Sequence, residues 1–96
     1  MLVLCRKIKQ KIILPELETE ITLLESDYGI AKIAITSPNK TTHYILREDE
    51  LKNVPEIKGK IMLTQADSTR ARIGINAPKY CNIVREELLT NSRPWR

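Results

Sequence analysis

Ninety-six residues with a net charge of +4, rich in Ile, Leu and Val but with three tyrosines, one tryptophan and no phenylalanine, are expected to form one small soluble domain with a modest, β-branched core. No apolar run reaches the ~20 residues that span a bilayer, which argues against a membrane protein and for the cytoplasm. Two distant cysteines and one histidine exclude a disulfide framework and a four-ligand zinc site, so no metal or other cofactor is expected.

The first fourteen residues, MLVLCRKIKQKIIL, alternate apolar and basic side chains instead of building the apolar stretch of a signal peptide, and predict strands over residues 1–8 and 10–14. Alternation recurs over 19–25, 30–36, 42–47, 58–64, 70–76 and 80–85, between turn signals such as Asp27-Tyr28-Gly29, Ser37-Pro38-Asn39 and Ala77-Pro78-Lys79. Residues 52–54 read as a linker, too short for a strand. Arg85-Glu86-Glu87-Leu88-Leu89 is expected to open a short helical turn that Pro94 limits, and residues 90–96, with Trp95, read as a frayed tail.

The chain repeats itself. Pro15-Glu16-Leu17 lines up with Pro55-Glu56-Ile57, and Ala31-Lys32-Ile33 with Ala71-Arg72-Ile73. Both stretches then reach a proline, Pro38 or Pro78, and an Arg-Glu-acid run at Arg47 or Arg85. In this alignment residues 1–53 are a first repeat with an opening strand, and residues 54–96 are a second repeat without one. The two together make one compact domain.

Charge follows the same division. Residues 1–13 hold Arg6, Lys7, Lys9 and Lys11 and no acid, residues 14–53 carry a net −4, and residues 54–96 carry a net +4. A polyanion would therefore favour the opening strand and the second half of the chain, because clustered cations release its counterions. No Gly-rich phosphate loop, paired-carboxylate motif or nucleophile with a base is visible, and His43 reads as a surface residue, so an enzyme is not expected.

The segment MLVLCRKIKQKIILPEL resembles the opening of the carbon storage regulator (CsrA/RsmA) family of bacterial RNA-binding translational regulators. ARIGINAPKYCNIVREELL resembles that family's central and last strands. The resemblance implies an all-β fold of two small antiparallel sheets. Members form an intertwined homodimer in which the first strand of one protomer and the last strand of the other grip a GGA element, commonly in a hairpin loop of a messenger leader or a small RNA. Carried onto this chain, the RNA contacts would be Leu4, Cys5, Arg6 and Lys7 of the first strand, Ala77, Pro78 and Lys79 of the loop, and Ile83, Val84 and Arg85 of the last strand. Cys5 stands where the family usually has a hydroxyl, and Val84 lacks the polar side chain often found before the key arginine.

Two CsrA-like repeats in tandem imply strand exchange within one chain, a monomeric pseudo-dimer with one RNA site; an ordinary homodimer is the competing arrangement. The expected function is post-transcriptional regulation of translation or message stability. The alternative is a protein-interaction module of the same fold that binds or antagonises a regulator of this type, or its partner.

Overall fold

The computed structural model describes residues 1–86. Among these residues, β-branched runs broken by tight turns give nine strands: β1 (Leu2–Lys7), β2 (Lys11–Leu14), β3 (Thr19–Asp27), β4 (Ile30–Thr36), β5 (Thr41–Arg47), β6 (Leu51–Val54), β7 (Gly59–Ala66), β8 (Arg70–Asn76) and β9 (Val84–Arg85). Two 3-10 turns, Pro15–Leu17 and Pro55–Ile57, follow β2 and β6. No helix among the described residues is long and apolar enough to cross a membrane. The described residues make an all-β fold, as the composition predicts.

Two antiparallel sheets form, ordered β1-β8-β7-β6 and β5-β4-β3-β2-β9. The first strand therefore leaves its sequence neighbours to pair with β8, Leu4 opposite Ile73 and Lys7 opposite Arg70. The last leaves β8 to pair with β2, Arg85 opposite Ile12 and Val84 opposite Ile13. Inward positions of the two sheets make one aliphatic core: Ile12, Leu14, Ile21, Leu23, Ile33, Ile35 and Leu46 from one, and Leu4, Val54, Ile61, Leu63, Ile73 and Ile75 from the other. Polar stitches join the sheets at one end, where the Ser26 hydroxyl lies 2.6 Å from the Asp67 carbonyl oxygen and donates to it.

The elements recur at an offset of 40 residues. The 3-10 turns begin at Pro15 and Pro55 and end in left-handed residues, Glu18 (φ 50°) and Lys58 (φ 55°). The turns before β2 and β6 each place one non-glycine residue at positive φ, Lys9 (φ 76°) and Asp49 (φ 63°). The N–H groups of those two residues bond the Leu23 and Leu63 carbonyls, and each long strand slips register just beyond, between Leu23 and Glu25 and between Leu63 and Gln65. Thus β5 and β6 stand to β7 and β8 in sequence as β1 and β2 stand to β3 and β4.

Several boundaries differ from expectation. Residues 52–54 are not a linker: with Leu51 they form β6, paired to β7 from Leu51–Met62 to Val54–Gly59. The opening segment 1–14, expected to lack a counterpart, has one in residues 41–54. Arg47 consequently matches Lys7 in position and is no partner of Arg85. It lies opposite Ile30, as Lys7 lies opposite Arg70. The strand expected over 80–85 shrinks to Val84–Arg85, because residues 78–81 close a turn through the Cys81 N–H and the Pro78 carbonyl at 3.0 Å. From residue 87 onward, the expected helical turn and the tail with Trp95 lie outside the described residues.

Candidate nucleic-acid interface

Two crossings carry the chain between the sheets beside β1 and β9. The turn at residues 8–10 carries the chain from β1, at the edge of one sheet, to β2 in the other. Residues 77–83 carry it from β8, the partner of β1, to β9, the partner of β2. β1 and β9 are the edge strands of the two sheets on this side, so all ten residues singled out in the sequence lie on β1, on β9 or on the segment that feeds β9.

Strand alternation divides the β1 residues between two faces. Cys5 and Lys7 point outward and are exposed, whereas Leu4 and Arg6 point inward and are 7% and 4% exposed. The Arg6 guanidinium donates from Nε to the Cys5 carbonyl at 2.9 Å and from an Nη to the Lys11 carbonyl at 3.1 Å. A buried guanidinium needs such partners, and the bond to Lys11 fastens β1 to the start of β2. Among the ten residues the exposed cations are Lys7, Lys79 and Arg85; Lys9 in the crossing turn and Arg70 and Arg72 on β8, opposite Lys7 and Cys5, are exposed beside them. Arg85 shares the face of buried Ile12, its register partner, yet stays exposed because β9 is an edge strand. Ile83 packs against the core, Val84 is half-buried on the outer face, and Ala77 and Pro78 are half-buried where the chain leaves β8.

Nearby Lys11 is committed elsewhere. Its ammonium lies 2.9 Å from Glu20 Oε1, and that hydrogen bond and charge hold its pKa above the ordinary lysine value.

Glu16 and Asn82 hold the segment before β9 and were not anticipated from the sequence. Glu16 Oε1 accepts from the Asn82 backbone N–H, and Oε2 from the Asn82 amide Nδ2, both at 2.8 Å. The backbone donor, above all, keeps the Glu16 carboxyl below its usual range. Gly59 is a second unanticipated positioning residue. A Cβ there would lie 1.8 Å from the Asn76 carbonyl oxygen, so only glycine lets the chain pass close to β7 as it leaves β8. The readable signal for Glu16 was its place on a short proline-led turn; Gly59 gave none beyond being glycine.

The opposite side has related backbone and different chemistry. Residues 37–40 fold straight back, the Ser37 N–H bonding the Lys40 carbonyl at 2.9 Å, and β5 pairs with β4 along its whole length. No strand among the described residues covers the free edge of β6. Lys52 stands there opposite buried Ile61, where β2 has buried Ile12 opposite Ile21. An inward-directed charge on a short edge strand discourages further pairing. Glu56, at the position of Glu16, accepts from the Tyr44 hydroxyl at 2.7 Å and lies 3.9 Å from the Lys40 ammonium.

Among the described residues no group of three or more His, Cys, Asp or Glu side chains could hold a metal ion. Cys5 and Cys81 are free thiols, one exposed and one buried. A groove of about 450 Å³ is lined by Leu24, Glu25, Asp27, Ile30 and Ile45 of β3–β5 and by Ile8 of the turn that follows β1. No protein-family model, curated protein or solved structure matches the chain.

Proposed function

We propose that this chain is a single-chain, pseudo-dimeric RNA-binding regulator of the carbon storage regulator type, holding one GGA-containing loop between β1 and β9. In this reading β1–β4 and β5–β8 are two copies of one unit, and β9 is the one last strand they share. It acts in the cytoplasm as a monomer on messenger leaders or small RNAs, altering translation or message stability.

The observation that carries the reading is the reciprocal exchange: β1 joins the sheet of β6–β8 and β9 joins the sheet of β2–β4, so two edge strands distant in sequence converge with Lys7, Lys79 and Arg85 exposed. Edge strands offer free backbone donors and acceptors to the base edges of an unpaired loop, and the cations hold its phosphates. Arg6 contributes from behind by fixing β1 against β2.

The test is a titration with a hairpin displaying GGA in its loop and a control with GGA changed to CCA. Tight binding of the first and weak binding of the second is expected; equal affinities would refute sequence-selective recognition.

A second reading, a protein-interaction module that binds or antagonises a regulator of this type, is favoured by the burial of Arg6, which removes one guanidinium from the surface that RNA would touch. Loss of both hairpins alongside saturable binding to a regulator of this type would select it.

A further inference from the structure

We propose that Tyr80 stacks on a base of the RNA loop beside the GGA element, extending the surface between β1 and β9 by one nucleotide. This rests on the RNA reading above. Tyr80 is 60% exposed in a chain whose aromatic side chains are few, and it follows directly on Ala77, Pro78 and Lys79.

The turn that carries it is held from both sides. The Cys81 N–H closes back onto the Pro78 carbonyl, the Cys81 side chain is buried, and Asn82 is clamped through two bonds to Glu16. A ring on such a turn is pre-positioned, so stacking loses little backbone freedom. Among the described residues Tyr80 takes no part in the packed core. The other side of the molecule supplies the contrast. The residue 40 positions earlier is Lys40, beside Glu56 and on the side where, among the described residues, no last strand covers the sheet edge. At this repeat position the aromatic side chain stands on the side of β1 and β9; the other strongly exposed tyrosine, Tyr28, lies in the turn between β3 and β4.

Every base presents a π-face, so a tyrosine here adds affinity and a preference for an unpaired base at one position without reading its edge. The test is a mutant-by-ligand cycle using the GGA-loop hairpin and versions with an abasic residue at each loop position flanking GGA in turn. Tyr80→Ala should weaken binding of the intact hairpin roughly 5- to 100-fold. Tyr80→Phe, which keeps the ring, should bind like the parent. For the hairpin abasic at the stacked position, the Tyr80→Ala loss should vanish.

Far-UV circular dichroism should be the same for all three proteins. Unchanged affinity of Tyr80→Ala for the intact hairpin would overturn the proposal, as would an undiminished loss with every abasic hairpin. If Arg85→Ala weakens binding while Tyr80→Ala does not, this inference alone falls. If the parent protein does not distinguish GGA from CCA, the RNA reading falls with it.

Discussion

The Tyr44 hydroxyl donates a 2.7 Å hydrogen bond to Glu56 Oε1, on the side of the molecule where Glu56 occupies the position of Glu16. Glu16 receives the segment that leads into β9. Glu56 receives a tyrosine from β5 instead, and Tyr44 itself packs partly against the core. Burial, followed by the hydrogen bond and charge of Glu56, pushes the Tyr44 hydroxyl up to about 12. Burial alone would raise the Glu56 carboxyl, but the Tyr44 bond, its own backbone, Thr42 and Lys40 outweigh it and hold the carboxyl below the usual range.

A phenol whose folded value exceeds its unfolded value adds stability that is fully present below the ordinary tyrosine value of 10.0 and is lost as pH rises toward about 12. Ultraviolet titration at the phenolate band should therefore show one tyrosine ionising only near pH 12, and Tyr44→Phe should remove that late step. A Tyr44→Phe protein that retains it would contradict the assignment.

Arg85→Ala should lower RNA affinity by about 2 kcal/mol or more, if its guanidinium makes a charge-assisted contact in the complex. Arg47→Ala, on β5 of the side where no last strand is found among the described residues, should change affinity by less than about 0.5 kcal/mol. Equal losses in a binding titration would mean that both sides engage RNA.

Much of this architecture was legible because β-branched alternation and turn residues marked β1–β5, β7 and β8. What failed had local causes. β6 was missed because Lys52 occupies the inward position that an apolar residue would mark, leaving Val54 as its one buried residue. The Arg-Glu-acid runs at Arg47 and Arg85 suggested equivalence, but connection length decides: residues 37–40 suffice only for a hairpin, whereas residues 77–83 can cross between sheets. Arg6 lies on the Leu4 face by simple alternation, yet its burial depends on the Cys5 and Lys11 carbonyls, partners that no sequence pattern displays.

Salt should weaken RNA binding with a log–log slope of about −2, taking about −0.7 for each phosphate neutralised by Lys7, Lys79 and Arg85. Arg6 is not counted, because its side chain is buried. Lys79→Gln should bring the slope about 0.7 closer to zero with little change in preference for GGA over CCA. A slope near zero across a salt series would point to a protein partner.

The Glu16–Asn82 clamp should respond to acid with a definite sign. A carboxyl held below its ordinary value of 4.5 contributes stability that is present above that value and is lost as pH falls through its lower folded value. Amide signals of residues 78–83 should therefore stay constant from neutral pH down to about 4.5 and move below it. Glu16→Ala should abolish that movement and weaken RNA binding at neutral pH. Signals that titrate identically in Glu16→Ala would remove the carboxylate from this role.

Stoichiometry is the sharpest consequence of an odd number of strands among the described residues. The five-stranded sheet ends in β9 on the edge of β2, whereas the four-stranded sheet ends in β6 with nothing covering it among the described residues. A second site would need another last strand there, and the edge is unsuited to one: Lys52 points inward where β2 has Ile12, and Glu56 is already engaged by Tyr44. One chain should then bind one GGA hairpin. An RNA carrying two such hairpins should gain little beyond the statistical factor of about two, because a single-site chain has no second site to profit from a raised effective concentration. Native mass spectrometry should show one chain with one hairpin and no stable two-chain species. Two hairpins on one chain, or a tandem gain of about a hundredfold, would mean that β5 and β6 form a working second site.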